Sequence, residues 1–114
     1  MPVDEKGLII EATQELLGQI LRANPDLQLA DIASVFFTMT EDLVSVYPAL
    51  AARQMGWHNI PMMCTQEIAV EGSLPLCIRV LILWNTDHSQ ADIHHMYLRE
   101  AVSLRPDLEE LRDK

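Results

Sequence analysis

Arg79 is the only charged residue in the stretch CIRVLILWN, residues 77–85. An arginine with apolar neighbours on a strand is expected to be shielded from water, and an unpaired buried charge costs too much free energy to persist. The guanidinium therefore needs an anion. Glu67, in the preceding apolar stretch, could supply it through a salt bridge, or a ligand could supply a carboxylate or another oxygen. The sequence leaves both interpretations open.

The strand around Arg79 is apolar on both faces. Alternate side chains of a strand point to opposite faces, so Arg79 shares its face with Cys77, Leu81 and Leu83. The other face carries the apolar residues Leu76, Ile78, Val80, Ile82 and Trp84. Neither face is polar, which supports the expectation that water does not reach Arg79.

Two further side chains could take part in polar chemistry. Tyr97 falls on the apolar side of a predicted final helix, and its hydroxyl needs a hydrogen-bond partner, either in the core or on a ligand. Arg53 lies in the last turns of a predicted helix that Gly56 closes, where a cation interacts favourably with the helix dipole. Each residue therefore has both a structural and a ligand-binding interpretation.

Motifs for metal binding, nucleophilic catalysis and nucleotide binding are missing from the sequence. His94 and His95 are adjacent, so on a helix they would point about 100° apart and could not grip one metal ion together. Cys64 and Cys77 have no CxxC spacing and are expected to be reduced thiols in or near the core. With only 4 glycines there is no glycine-rich phosphate loop. We expect no metal site, and nucleophilic catalysis and nucleotide binding are both poorly supported.

Composition narrows the class of protein further. The 114 residues, 49% of them hydrophobic, predict one domain spanning residues 1–114. A net charge of −9 with scattered basic residues opposes nucleic acid as a partner. No apolar stretch approaches the roughly 20 residues of a membrane helix, and the first residues do not resemble a signal peptide. A cytoplasmic protein is expected.

Hydrophobic periodicity and turn residues predict six elements and a capped turn. An apolar stripe of three- and four-residue steps indicates the first helix, and β-branched and aromatic runs indicate the strands. The predicted elements are a helix over 5–23, a strand over 32–40, a short turn capped at 40–42, a helix from Pro48 to Gly56, strands over 60–68 and 76–85, and a helix from Ser89. The last two strands could form a hairpin. This order favours an α/β fold with a mixed β-sheet covered by helices.

The final helix is predicted from one local motif. Ser89, followed three residues later by Asp92, has the spacing of a capping box. In the helix that it would open, one face is shared by Ile93, Met96, Tyr97 and Ala101.

Three collinear strings resemble the chorismate mutases of the AroH type. They read PMMCTQEI at 61–68, LCIRV at 76–80 and HMYLREAVSLRPDL at 95–108. The resemblance continues upstream through DIASVFFTMTEDL and YPALAARQMGW, and covers roughly residues 8–108.

The resemblance implies an isomerase that converts chorismate to prephenate by a [3,3] rearrangement, on the route to phenylalanine and tyrosine. No cofactor and no covalent intermediate is involved. The implied assembly is a homotrimer, a trimeric pseudo-α/β-barrel in which sheets of three subunits form the centre and helices lie outside. Chorismate is the small-molecule partner, and each active site lies between neighbouring subunits.

The resemblance also implies roles for particular residues. Arg79 matches the catalytic arginine that faces the ether oxygen of the breaking bond, and Glu67 matches the acid that binds the substrate hydroxyl. The remaining implied substrate-binding positions are Tyr97, Cys64 and Met63 in the pocket, Leu104 in its wall, and Tyr47 and Arg53 from the adjoining subunit.

One part of the family pattern has no match. Relatives usually begin with a strand of the form RGIRGAT that supplies another arginine, whereas this sequence opens with MPVDEKGLIIEATQELL, the predicted first helix. The single domain is therefore expected to lack that strand. An alternative is a catalytically weakened trimeric homologue that binds a small carboxylate or a protein partner. In a third, structural interpretation Arg79 pairs with Glu67 and no ligand binds.

Overall fold

A computed structural model describes residues 3–98 of the chain. Its helices and strands are α1 (Lys6–Ala23), β1 (Ile32–Met39), α2 (Ala49–Gln54), β2 (Met62–Gln66) and β3 (Ile78–Trp84), with short 3₁₀ turns at Leu29–Asp31 and Gln90–Asp92. The mixed α/β class predicted from the sequence is confirmed, and the predicted positions of α1, α2 and the three strands hold with shorter strands.

The three strands form one mixed sheet with β1 in the centre. β2 pairs with β1 in parallel and β3 pairs with β1 antiparallel, so the strand order is β2-β1-β3. The predicted hairpin of the last two strands is wrong, because each of them pairs with β1 from opposite sides. The parallel pair requires a crossover connection, and α2 lies within it.

One face of the sheet packs against the helices. Val35 and Phe37 of β1 are fully buried there, against Leu17 of α1, Ala52 of α2 and Trp57 after α2. Their burial places the hydrophobic core between the helical layer and this face of the sheet. The apolar stripe of α1 faces this core, as the sequence periodicity predicts.

The opposite face of the sheet is not covered by a helix within residues 3–98. The strand registers place these side chains on that face: Ser34, Phe36, Thr38, Met63, Thr65, Arg79, Leu81 and Leu83. We call this surface the open face. Leu81 is 59% exposed and Met63 is 55% exposed. The described helices thus cover one of the two apolar faces, and the second faces outward from the single chain.

The final helix predicted from Ser89 onward is not present in the part of it that the structure describes, up to residue 98. Ser89 Oγ lies 3.3 Å from Asp92 Oδ2, so the two side chains bond to each other and do not cap backbone N–H groups. Beyond the 3₁₀ turn Gln90–Asp92, residues 93–98 have no regular secondary structure. The remainder of the prediction, including Ala101, lies outside the described residues.

The predicted capped turn at 40–42 is a single hydrogen-bonded turn. Thr40 Oγ1 donates to the Asp42 carboxylate, and Leu43 N donates to Thr40 O at 3.0 Å. The Asp42 carboxylate also accepts from Leu76 N at 3.1 Å. Leu76 has a positive φ of 49°, which no strand residue adopts, and β3 therefore begins later than the sequence predicts.

Candidate active site

An ion pair joins the end of β2 to β3 on the open face. The Nε of Arg79 donates to Oε1 of Glu67, and Thr38 Oγ1 donates to the same oxygen at 2.6 Å. Thr38 lies directly opposite Arg79 in the β1–β3 register, which brings all three side chains together. Glu67 is fixed by its backbone as well, since its N–H donates to Met39 O at 2.8 Å. The salt bridge that the sequence offered as one alternative is therefore present.

The pair stays charged at neutral pH. Burial alone would raise the pKa of the Glu67 carboxyl, but hydrogen bonds from Arg79 and Thr38 and the attraction of the guanidinium outweigh it, so the pKa lies below its usual value. The hydrogen bond that Arg79 donates to Glu67 raises the pKa of Arg79, and Tyr97 is among the nearby groups that add to this rise. The ionised Glu67 carboxylate can only accept hydrogen bonds.

Arg79 is exposed in the single chain. Its side chain is 62% accessible to solvent, whereas that of Glu67 is 16% accessible. The expectation that Arg79 is shielded from water is therefore wrong for the single chain, because no described element covers the open face above it. Its contact with Glu67 uses only Nε of the guanidinium. Among the described residues, the outer Nη1 and Nη2 groups have no ion pair and remain available to a ligand.

A cavity of about 320 Å³ lies beside Arg79. It is bounded by α1, by β3 and by residues 93–98, and both Arg79 and Tyr97 line it. The structure therefore brings two of the predicted site residues, which are 18 positions apart in the sequence, to one cavity. Mostly apolar walls with a few polar groups are typical of small-molecule sites.

The other predicted site residues lie in different places. Met63 is on the open face with Arg79, but the Cys64 side chain points to the opposite face and packs against the core. Cys64 can thus meet a ligand on the open face only through backbone atoms. Tyr47 is 69% exposed, Arg53 is exposed at the end of α2, and neither is among the described residues that line the cavity. Leu104 lies outside the described residues.

Thr38 is a site residue that the sequence analysis missed. It sits within the apolar strand IASVFFTM, where its hydroxyl gave no recognisable motif. The available signal was strand alternation, which places Thr38 on the same face as Phe36. That face becomes informative only if β1 is known to pair with the strand that carries Arg79. Strand order decides which residues stand opposite one another, and the sequence did not reveal that order.

Cys77 directly precedes β3 and is buried. Burial raises the pKa of its thiol, and the negative charge of Glu67 raises it further, against a smaller opposing effect of Arg79. A protonated, buried thiol is a poor nucleophile. Cys77 and Cys64 are both free cysteines, as predicted.

The described residues also bear on metal binding and on membrane spanning. Residues 3–98 contain no group of three or more His, Cys, Asp or Glu side chains arranged to hold a metal ion. None of the helices in this part of the chain has both the length and the apolar character needed to cross a bilayer.

The fold and the site together define a mixed α/β protein with a cation–carboxylate pair beside a small-molecule cavity. The sequence matches the family model for chorismate mutase type I over residues 1–108. The chain therefore belongs to the chorismate mutase type I family, and it is a chorismate mutase, an isomerase.

Similar proteins agree with this assignment. The chain is 54% identical over 106 residues to chorismate mutase AroH of Thermus thermophilus, with 93% of this chain and 87% of the relative covered. It is 40% identical over 106 residues to chorismate mutase AroH of Bacillus subtilis (strain 168), with 92% and 83% covered. A solved structure of a chorismate mutase from Clostridium thermocellum superposes with a TM-score of 0.86 at 43% identity and covers 90% of each chain.

The lowered pKa of Glu67 predicts a pH-dependent contribution to stability. Because the folded-state pKa lies below the unfolded value of 4.5, the carboxylate stabilises the fold above that pH, and its contribution is lost as the pH falls through the folded-state pKa. Glu67→Gln should therefore lower the free energy of unfolding at pH 7, by about 1 to 3 kcal/mol. The difference from the wild type should shrink on acidification.

Urea denaturation between pH 7 and pH 3 at fixed protein concentration measures this difference. Glu71→Gln, which removes an exposed carboxylate from the turn before β3, is the matched control for the loss of one negative charge. An identical pH trend in both variants would contradict the pairing of Glu67 with Arg79.

Proposed function

We propose that Arg79 and Glu67 form the catalytic centre with which this chain converts chorismate to prephenate, in the biosynthesis of aromatic amino acids. Arg79 faces the ether oxygen of the breaking bond, and Glu67 accepts a hydrogen bond from the substrate hydroxyl. The observation that carries the proposal is the ion pair on the open face, in which Glu67 engages Nε of Arg79 while Arg79 also lines the cavity.

The pair explains how the barrier is lowered. As the carbon–oxygen bond breaks, negative charge develops on the ether oxygen, and a cation already fixed at that point stabilises the transition state without reorganising. Glu67 and Thr38 hold the guanidinium before substrate arrives, since Arg79 Nε and Thr38 Oγ1 both donate to the same Glu67 oxygen. The planar fork gives Arg79 a directional donor that lysine lacks.

Positioning supplies the rest of the acceleration. A million-fold acceleration corresponds to about 8 kcal/mol, and one preorganised donor supplies roughly 3 to 4 kcal/mol. Holding the flexible ether in a compact, chair-like shape can supply the remainder. General acid or base catalysis is not needed, which agrees with the lowered pKa of Glu67, because an ionised carboxylate has no proton to give at neutral pH.

The remaining substrate contacts are assigned by proximity to this pair. Tyr97 shares the cavity with Arg79, and Met63 shares the open face. Cys64 would act through its backbone, because its side chain packs in the core. Leu104 is proposed as a wall of the pocket from the family pattern alone.

A homotrimer completes the site in this proposal. The open face exposes Leu81, Leu83 and Met63 next to Arg79, and contiguous exposed apolar surface is typical of an interface. A neighbouring subunit on this face would exclude water from Arg79, which the isolated chain leaves exposed. Tyr47 and Arg53 lie away from the cavity of their own chain, so they are proposed to reach the cavity of the adjoining subunit.

We further propose one domain over residues 1–114 in a cytoplasmic enzyme without nucleic-acid or membrane partners. The free cysteines Cys64 and Cys77 fit a reducing compartment. The net charge of −9 opposes binding to nucleic acid and to anionic lipid surfaces.

Arg79→Lys is predicted to lower kcat about 10²- to 10³-fold, because lysine keeps the charge but loses the planar fork that faces the ether oxygen. The loss of chorismate absorbance measures the rate, and circular dichroism checks the fold. Arg22→Lys, at an exposed position in the last turn of α1, is the matched control and should retain wild-type kcat. Normal turnover in Arg79→Lys would remove Arg79 from its assigned role.

Leu81→Asp is predicted to convert the trimer to a monomer, because it places an unpaired charge within the apolar open face. Sedimentation velocity measures the mass. Val44→Asp, at a loop position that is 74% exposed, is the control and should leave the trimer intact. A monomeric wild type, or a Leu81→Asp variant that remains trimeric, would show that the open face is not the interface.

A further inference from the structure

Asn24 ends α1 and is almost completely buried, with 5% of its surface exposed. Its side-chain Nδ2 donates to Ile20 O and to His94 O, both at 2.9 Å. Its Oδ1 accepts from His94 N, also at 2.9 Å. The carboxamide thus pairs with both backbone groups of a residue 70 positions away, in the manner in which one strand pairs with another.

This pairing fixes a segment that has no regular secondary structure. Residues 93–98 form neither helix nor strand, yet they make one wall of the cavity beside Arg79. The His94 pair joins this wall to the end of α1. Tyr97 follows His94 by three residues, a span of at most about 11 Å of extended chain. The position of the Tyr97 hydroxyl therefore depends on where Asn24 holds His94.

A second contact fixes the connection that leads into this segment. His88 Nε2 lies 3.0 Å from Asp26 Oδ2, and the His88 ring lies 5.5 Å from the ring of Trp84, at the end of β3. Asp26 belongs to the same turn as Asn24. The chain between β3 and Tyr97 is thus attached at two points to the turn that follows α1. The Asn24 attachment is partly buried, whereas the Asp26 attachment is exposed.

Few other side chains could replace the carboxamide. It offers both N–H donors and a carbonyl acceptor at the length needed to match a backbone N–H and C=O. Aspartate, of equal size, would lack the donor and would set its charge against the His94 carbonyl. Alanine would leave the partly buried N–H and C=O of His94 without these two hydrogen bonds, which is unfavourable. Position 24 therefore requires a side chain that pairs with His94, and not only a residue that can end a helix.

We propose that Asn24 is a positioning residue of the active site, which holds residues 93–98 over the cavity so that Tyr97 reaches the substrate. The inference rests on the proposed role of Tyr97 as a substrate contact. Asn24 acts on substrate binding, whereas Arg79 acts on the bond that breaks. Its loss should therefore change KM more than kcat.

Steady-state kinetics with chorismate on the full chain test this inference through Asn24→Ala, Tyr97→Phe and the double variant. We expect Asn24→Ala to raise KM by about tenfold or more, the equivalent of one or two lost hydrogen bonds, and to change kcat less than about threefold. In the double variant KM should resemble that of the more impaired single variant, because both substitutions disrupt the same contact.

Thr13→Val separates this role from a loss of stability. It removes another buried hydrogen bond of α1, from Thr13 Oγ1 to Ile9 O at 2.7 Å, at a position that does not line the cavity. Thermal unfolding should show that it and Asn24→Ala both destabilise the fold. Only Asn24→Ala should raise KM. A KM increase of similar size in Thr13→Val would overturn the inference.

The remaining outcomes are distinguishable. If Tyr97→Phe raises KM but Asn24→Ala does not, the positioning role is overturned and the role of Tyr97 stands. If the two KM increases multiply in the double variant, Asn24 acts independently of Tyr97 and the inference fails. If Tyr97→Phe alone leaves the kinetics unchanged, the proposed role of Tyr97 fails, and the inference that rests on it fails with it.

Discussion

The ion pair between Arg79 and Glu67 is the interaction on which the site depends. Glu67 neutralises the charge of Arg79 through a hydrogen bond from Nε, without occupying the whole guanidinium fork. Thr38 adds a second donor to the same carboxylate. The result is a charged group with a fixed plane and free outer donors, which is what a reaction that develops charge on one oxygen requires.

The sheet explains how the chain supports both a core and a site with so few residues. Alternation along β3 means that packing Val80 and Ile82 toward the helical layer forces Arg79 and Leu81 onto the open face. A slip of one residue in register would bury the guanidinium and expose the core side chains. Hydrophobic packing on one face therefore fixes the side of the sheet on which Arg79 lies.

Local patterns predicted most of the helices and strands, and they also indicated that Arg79 needs an anion, with Glu67 as one of two alternatives. The stripe of α1 and the apolar run of β3 are properties of neighbouring residues, so one sequence contains the whole signal. The helix expected after Ser89 is absent over residues 93–98. Ser89 and Asp92 bond to each other, and Asn24, 70 residues before His94, pairs with the backbone groups of that residue. A contact of that separation leaves no periodic trace.

Local sequence patterns could not predict the order of the strands or the assembly, for a physical reason. Two adjacent apolar strands with a turn between them look alike whether they pair with each other or with a third strand, and here β1 separates them. Thr38 lies beside Arg79 and Glu67 only because β1 is the central strand. Arg79 is exposed in the single chain, and one sequence contains no local signal for a surface that a second chain would cover.

The most direct measurement of the central claim is a crystal structure of the chain with prephenate bound, because the ether oxygen of the substrate becomes the keto oxygen of this product. The account predicts that oxygen within about 3 Å of an outer nitrogen of Arg79, with the product hydroxyl bonded to Glu67. Prephenate bound elsewhere, with Arg79 contacting only Glu67 or solvent, would contradict it.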